Sequence, residues 1–275
     1  MGTVGAHMGT DSVRLEGWAL ILGASSGFGA ATARHLAKCG MNIIGVHLDR
    51  RNTQELADGV CDDIEAVGSQ ARFFNVNAAD AEARAKVLDT VQPELSKGLP
   101  PIRVLLHSLA FGTLVPFIGN EDSPGLTPRQ LEMTLDVMAH SLVYWTQDLV
   151  ARDLLGSGSR ILAMTSAGSD RIWPGYGAVG TAKSCLDAHV RRLAVELGPR
   201  QITVNALRAG VTDTRALRPI PGHEELLENA ARLNPGGRLT RPEDVARTVA
   251  VLALDETSWI TGNIIGVDGG ENLTT

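Results

Sequence analysis

The chain contains little cysteine and few aromatic residues, and each shortage excludes a class of protein. Its 275 residues include three cysteines, and aromatic side chains make up 4%. Cys39, Cys61 and Cys185 are too few and too scattered for a disulfide framework or a local zinc motif. We therefore expect no metal site and a reducing, cytoplasmic compartment.

The chain also lacks long apolar runs and an excess of positive charge. No apolar run approaches the roughly 18 residues of a membrane-spanning helix, so we expect no membrane association. The formal net charge is −6 at pH 7, which argues against a broad basic surface for nucleic acid. A hydrophobic content of 44% is instead sufficient for one large core.

Short apolar runs alternate with helical stretches, which predicts an α/β domain with a parallel sheet and helices on both of its faces. Seven runs are predicted to be its strands: 18–22, 42–47, 71–76, 102–108, 160–166, 202–207 and 264–267. Residues 11–275 are predicted to be one domain, and the Gly-rich residues 1–10 are interpreted as an expression-tag remnant. The segment 215–237 contains three prolines and interrupts the pattern, so we predict that it forms a substrate lid.

Glycines recur between the first predicted strand and the helix that follows it. Gly23, Gly27 and Gly29 have the spacing Gly-x3-Gly-x-Gly. Glycine permits a tight turn and the close approach of a pyrophosphate, and the helix N-terminus offers free N–H groups and a positive dipole end. An ordinary strand-to-helix turn is the alternative. The context predicts a single-domain Rossmann fold that binds a dinucleotide through Gly23, Ser25, Ser26, Gly27, Phe28 and Gly29.

Three further motifs extend this prediction over nearly the whole chain. Asn205-Ala206 ends the sixth predicted strand, the segment 209–214 follows it, and the segment 267–270 reads Val-Asp-Gly-Gly. Together with the glycine loop, they resemble the short-chain dehydrogenase/reductase superfamily. The resemblance implies an oxidoreductase with a nicotinamide cofactor. It also implies that the cofactor contacts Asn75, Val76, Ser108, Leu109, Ala110, Thr165, Val211 and Thr214.

The residues after the second predicted strand bear on the choice between NADPH and NADH. His47 occupies the position that usually holds an aspartate, and Asp49, Arg50 and Arg51 follow it closely. A guanidinium group binds phosphate bidentately, so we expect Arg50 and Arg51 to bind the 2′-phosphate of NADPH. The alternative is that both arginines are solvated loop residues and that Asp49 binds the ribose of NADH.

A tyrosine and a lysine near one predicted helix are the candidate catalytic residues. The superfamily commonly places Tyr-x3-Lys so that the tyrosine comes thirteen residues after a serine. Here Val179 stands thirteen residues after Ser166, and Lys183 follows four residues later, as the motif requires. The tyrosine is instead Tyr176, three residues before Val179. Positions i, i+3 and i+7 share one helix face. We expect Lys183 to hold the nicotinamide ribose and its charge to lower the pKa of Tyr176.

The displaced tyrosine suits the reduction of a carbon–carbon double bond. When hydride attacks the β-carbon of an enoyl thioester, negative charge develops two carbons away, on the thioester oxygen. A donor displaced outward, such as Tyr176, can stabilise that oxyanion. The Tyr-x6-Lys spacing, the segment 107–111 and Met138 in place of a catalytic asparagine resemble the enoyl-acyl-carrier-protein reductases.

The stretch 193–206 resembles the NADPH-dependent enoyl reductase of the Bacillus type. This resemblance implies a homotetramer that reduces trans-2-enoyl thioesters of acyl carrier protein or coenzyme A in fatty acid biosynthesis. It departs from several enoyl reductases at Ala167, where they carry an additional tyrosine.

Four residues are predicted to line the substrate pocket, namely Phe111, Ser166, Trp173 and Tyr176, although Phe111 and Trp173 could instead be core residues. Two other functions stay open at this point. One is a carbonyl or 3-ketoacyl reductase on the same scaffold. The other is a non-catalytic regulatory protein that binds NADP.

Overall fold

The computed structural model of the protein describes residues 13–95, 101–121 and 124–274. The predicted tag remnant, residues 1–10, lies outside the described residues. Within them the chain forms one parallel sheet of seven strands in the order β3-β2-β1-β4-β5-β6-β7. The strands are β1 Trp18–Leu22, β2 Asn42–His47, β3 Ala71–Asn75, β4 Ile102–His107, β5 Arg160–Thr165, β6 Thr203–Ala209 and β7 Ile264–Val267.

Helices cover both faces of the sheet, as the alternating pattern predicted. They are α1 Gly27–Lys38, α2 Gln54–Ala66, α3 Ala81–Leu95, α4 Pro128–Leu135, α5 Ser141–Ala151, α6 Gly177–Leu197, α7 His223–Leu233 and α8 Pro242–Leu252. A π-helical turn, Asp136–His140, joins α4 to α5 without a break. None of the helices in the described ranges is both long and apolar enough to cross a membrane.

The side chains of β1 show how the sheet is held between its two helical layers. Trp18, Leu20 and Leu22 pack into one cluster with buried residues of α3, α5 and α6. Ala19 and Ile21 pack into the other, with buried residues of α1, α2 and α8. All five are buried, as expected for a parallel strand covered on both faces.

Strands β2 and β3 follow one another on one side of β1, and β4 then returns to the other side of β1, where β5, β6 and β7 continue the sheet. The strand order therefore switches between the neighbours β1 and β4. In open α/β sheets, ligands bind beyond the carboxyl ends of the strands at such a point. The carboxyl ends here are Leu22 and His107. The glycine loop, residues 23–29 and hereafter called the phosphate loop, follows Leu22 directly. The Rossmann fold predicted from the sequence is therefore confirmed, and it places the candidate site at this edge.

Small differences from the predicted boundaries change where two functional residues lie. The long helix α6 begins at Gly177, and Tyr176 is its N-cap residue with φ −92° and ψ 6°. Ser166 lies just beyond β5 as the N-cap of a short 3₁₀ turn, where its Oγ accepts a 3.1 Å hydrogen bond from the Gly168 N–H. Both side chains thus lie at element ends, which face the cleft beyond the sheet.

Candidate active site

The glycines of the phosphate loop stand where side chains would not fit. A Cβ on Gly23 would overlap the backbone oxygen of Ser108, and one on Gly29 would overlap the backbone oxygen of Gly23. Gly23 and Gly27 have φ values of +91° and +53°, which favour glycine. The bare backbone at the start of α1 fits a pyrophosphate, since N–H groups of a helix N-terminus bind such anions.

Thr214 and a basic cavity lie beside this loop. The Thr214 side chain is within 3.8 Å of the point where a Cβ on Gly27 would lie, so this residue lies against the loop expected to hold the pyrophosphate. A cavity of about 600 Å³ extends from Ser25, Ser26 and Gly27, and its charged lining is mostly basic. The basic residues are Arg34, His35, Lys38, Arg215, Arg218 and Arg247, against the acids Asp213 and Glu243. Burial, Arg247 and Lys38 lower the pKa of His35, which is consistent with this positive surrounding.

Asp49, rather than an arginine, contacts the phosphate loop from the end of β2. Burial alone would raise the pKa of Asp49, but hydrogen bonds with Ser25, Thr53 and His47 hold it below its usual value. The His47 Nδ1 atom lies 3.0 Å from the Asp49 carboxylate. The side chains of Arg50 and Arg51 are exposed. The sequence argument for NADPH had not anticipated the contact between Asp49 and Ser25.

The side-chain amide of Asn75 holds the loop after β2 in place. Its Oδ1 accepts a 3.0 Å hydrogen bond from the Asp49 backbone N–H. Its Nδ2 donates to the Asp49 backbone oxygen at 2.9 Å and to the Gln54 Oε1 atom at 2.9 Å. Val76 donates its N–H to the His47 oxygen at 2.8 Å. The predicted adenine contact of Asn75 and Val76 stays a prediction, and the observed role of Asn75 is to fix Asp49.

Lys183 is buried, with 5% of its surface exposed, and joins two strand ends. Its Nζ donates to the backbone oxygen of Met164 at 2.7 Å and to that of Leu109 at 3.3 Å. Burial lowers the pKa of Lys183 to about 8, although the nearby carboxylate of Asp187 opposes this shift. The ammonium group is therefore held at the carboxyl ends of β4 and β5, on the cleft side.

Tyr176 lies beside Ser166, and its pKa is raised rather than lowered. Its ring packs against Gly168, where a Cβ would overlap it. Burial raises the pKa of the phenol, and a hydrogen bond with the Ser166 side chain partly opposes this. The predicted lowering by Lys183 is wrong for this state of the protein, because burial dominates and the lysine is bound to backbone oxygens instead.

Val179 fills the place where the common spacing would put a tyrosine. It is buried, and its side chain, with Met138 and Thr134, lies where a Cβ on Gly112 would collide. This cluster is apolar apart from the threonine hydroxyl, which donates to the Gln130 oxygen. The polar donor of the site is therefore displaced to Tyr176, one helical turn upstream.

Val211, one of the residues expected to contact the cofactor, is engaged by an acid that sequence reasoning missed. The Val211 N–H donates to both carboxylate oxygens of Glu271, each at 3.1 Å. Burial raises the pKa of Glu271. In this structure the Val211 N–H is thus engaged by Glu271, and the predicted cofactor contact of Val211 stays a prediction. No local signal marked Glu271, which comes sixty residues later in the chain.

The remaining predicted cofactor residues lie along the same edge of the sheet. Ser108 donates its N–H to the Leu22 oxygen at 2.8 Å, and Leu109 supplies a carbonyl oxygen to Lys183. Ala110 is exposed, whereas Thr165 is buried at the end of β5. Phe28, in the first turn of α1, packs against the core.

Three of the four predicted pocket residues, Ser166, Trp173 and Tyr176, lie near the start of α6. Trp173 donates its Nε1–H to the Pro221 oxygen at 2.9 Å, which connects it to the segment 215–237 and its helix α7. Phe111 is 55% exposed. Phe117, which the sequence argument missed, lies over Gly177, with ring atoms 3.0–3.2 Å from the point where a Cβ would be. Only its aromatic character signalled it.

Comparison with known proteins agrees with this geometry. The family described as enoyl-(acyl carrier protein) reductase matches residues 23–272. The chain belongs to this family of short-chain dehydrogenases and reductases. It is accordingly an oxidoreductase that binds a nicotinamide cofactor.

Individual relatives of this short-chain reductase carry two different names. It is 30% identical over 272 residues to versicolorin reductase stcU of Emericella nidulans, covering 95% of this chain and 98% of the relative. It is 31% identical over 186 residues to the NADH enoyl-[acyl-carrier-protein] reductase FabI of Escherichia coli, covering 68% and 70% of the two chains. A dehydrogenase/reductase from Sinorhizobium meliloti is similar in structure, with a TM-score of 0.80, 28% identity and coverage of 96% and 98%.

Proposed function

We propose that this protein reduces the trans-2 double bond of enoyl thioesters, carried by acyl carrier protein or coenzyme A, in fatty acid biosynthesis. The observation that carries the proposal is the pair formed by Tyr176 and Val179. An apolar, buried Val179 occupies the common tyrosine position, and the only described phenol at the start of α6 is one turn upstream. This arrangement moves the donor outward, as charge on a thioester oxygen requires.

The residues of the site fit a nicotinamide dinucleotide. Gly23, Gly27 and Gly29 form a cradle that a Cβ would fill, and Thr214 stands over it for the pyrophosphate. When bound, the cofactor supplies the hydride that the β-carbon of the substrate accepts. Lys183 would hold the nicotinamide ribose, because two of its three N–H donors bind backbone oxygens and the third can reach a hydroxyl.

Tyr176 stabilises the enolate as a hydrogen-bond donor. A donor must keep its proton, and burial raises the pKa of this phenol, so that it stays protonated at neutral pH. The hydrogen bond with Ser166 restrains the position of the hydroxyl. Solvent then supplies the proton that the α-carbon takes up. Stabilisation of a developing oxyanion by one positioned donor contributes on the order of 10²–10³ in rate.

The choice of reductant depends on two groups that oppose each other. We assign NADPH, because the exposed Arg50 and Arg51 follow β2 and guanidinium groups bind a 2′-phosphate. NADH is the alternative, favoured by the Asp49 carboxylate beside Ser25, since a carboxylate binds ribose hydroxyls and repels a 2′-phosphate. The Bacillus-type resemblance supports the first, and with it we propose a homotetramer in the cytoplasm.

Carbonyl reduction is the second candidate function. The hydrogen bond between Tyr176 and Ser166 brings together two hydroxyl groups that could both donate to one carbonyl oxygen. The similarity to versicolorin reductases also covers nearly the whole chain, whereas that to the enoyl reductase covers two thirds of it. Both observations favour a carbonyl compound, such as a 3-ketoacyl thioester, as the alternative substrate.

The decisive experiment presents both substrate types to the same enzyme. Purified protein is mixed with NADPH or NADH and with crotonyl or acetoacetyl thioesters of coenzyme A and acyl carrier protein. Loss of the reduced cofactor is followed by absorbance, and mass spectrometry identifies the product. We expect the saturated butyryl thioester to form fastest. Turnover of acetoacetyl thioester alone would establish the carbonyl reductase, and cofactor binding without turnover of any substrate would favour the regulatory protein.

A further inference from the structure

Three metal-ligating side chains converge on the face of α6 that lies away from the active site. The His140 Nδ1 atom is 3.0 Å from His189 Nε2, and Cys185 Sγ is 3.4 Å from His189 Nε2 and 4.0 Å from His140 Nδ1. All three residues are half-buried.

Two elements of the fold produce this convergence. Cys185 and His189 are four residues apart on α6, which places them on one face of the helix. His140 is the last residue of the π-helical turn Asp136–His140, and such turns occur frequently at functional sites because they widen the helix and redirect its side chains. The two imidazole rings are 5.3 Å apart, and one nitrogen of each ring lies within 4.0 Å of the Cys185 Sγ atom.

The triangle formed by the three atoms has the dimensions of a tetrahedral metal site. Zn–N bonds of about 2.1 Å and a Zn–S bond of about 2.3 Å at tetrahedral angles separate two nitrogens by about 3.4 Å and nitrogen from sulfur by about 3.6 Å. The observed separations of 3.0, 3.4 and 4.0 Å differ from these by about half an ångström or less. Imidazole nitrogen and thiolate sulfur are also the ligand types that zinc prefers.

We propose that His140, Cys185 and His189 form a zinc site, with a fourth position open to water. The sequence had predicted no metal site, because His140 lies 45 residues before Cys185 and no local spacing joins them. Lys183 is two residues from Cys185, and two residues turn an α-helix by about 200°. The ion would therefore lie opposite the catalytic lysine and connect α6 to the π-helical turn.

This proposal is independent of the substrate and is tested by metal binding alone. The purified full chain is treated with a chelator, desalted, and titrated with ZnCl₂ by calorimetry and with CoCl₂ by absorbance. We expect one Zn²⁺ per chain and, with Co²⁺, visible bands of a four-coordinate ion together with a thiolate charge-transfer band. Zinc at about 100 times its Kd should raise Tm by about 5 °C.

Variants then identify the ligands. Cys185→Ser should abolish the thiolate band and weaken zinc binding at least about tenfold, and His189→Gln should weaken it similarly. Cys61→Ser and His35→Gln are matched controls on α2 and α1, and both should bind zinc as the unmodified chain does. Circular dichroism checks that each variant is folded. Absence of saturable zinc binding by the unmodified chain, or unchanged binding by Cys185→Ser, would overturn the proposal.

Discussion

The Nζ atom of Lys183 donates a 2.7 Å hydrogen bond to the backbone oxygen of Met164, the residue before the end of β5. This contact holds an ammonium group in a buried position one helical turn from Asp187. Burial lowers the pKa of Lys183 to about 8, and Asp187 acts in the opposite direction. The lysine therefore changes charge at a mildly alkaline pH.

We expect activity to decline as the pH rises through about 8, because the lysine loses the charge with which it binds the ribose and favours the developing anion. Asp187→Asn removes the group that keeps this lysine protonated. The alkaline limb of kcat/KM should then move to lower pH by roughly one unit. Asp89→Asn, which alters an exposed ion pair with Arg152, is the control and should leave the profile in place. An unchanged profile in Asp187→Asn would contradict the coupling.

The hydroxyl of Tyr176 is expected to act in catalysis and not in cofactor binding. Tyr176→Phe should lower kcat for the enoyl thioester by on the order of 10²–10³, with the Kd of the reduced cofactor unchanged. Tyr144→Phe removes the other tyrosine hydroxyl, which donates to Asp136 at 2.8 Å, and should retain activity. Full activity of Tyr176→Phe would assign oxyanion stabilisation to another group, with Ser166 as the first to examine by Ser166→Ala.

Cofactor preference should respond to the charge of Asp49. Asp49→Asn preserves the size of the side chain and removes the negative charge beside Ser25, so repulsion of a 2′-phosphate falls. The ratio of kcat/KM for NADPH to that for NADH should rise by about tenfold. A double substitution, Arg50→Ser with Arg51→Ser, should lower the same ratio. If the double substitution has no effect while Asp49→Asn does, the arginines are solvated loop residues and Asp49 alone sets the preference.

Local sequence patterns predicted the elements of this fold, whereas long-range contacts escaped them. The run Trp18–Leu22 was correctly predicted to be a strand, and the glycines after it lie in the tight turn that their spacing indicated. The contacts of Asp49 with Ser25 and of Glu271 with Val211 join residues far apart in the chain. The local spacing of residues in the sequence therefore cannot predict these contacts. Helix periodicity also predicted the shared face of Tyr176 and Lys183, but it carries no information on burial. For that reason the direction of the Tyr176 pKa was predicted wrongly.

His107, at the end of β4, is a buried residue whose role can be measured as stability. Its Nε2 atom lies 2.8 Å from the Ser141 Oγ. Burial, together with the charge of Lys183, lowers the pKa of His107 to about 3. The folded protein thus keeps this imidazole neutral at a pH where the unfolded chain, with an ordinary histidine pKa of about 6.5, takes up a proton.

Stability should therefore decrease as the pH falls below about 6.5, since the unfolded state binds the extra proton. This residue should account for about 2 kcal/mol of the loss in unfolding free energy between a pH of about 7.5 and one of about 5. The unfolding free energy of His107→Gln is measured with urea at both pH values. Its change between the two should be smaller than that of the unmodified protein by this amount. Ser141→Ala is the control. It removes the hydrogen-bond partner, costs about 1–2 kcal/mol at both pH values, and leaves the pH difference intact because the buried imidazole remains.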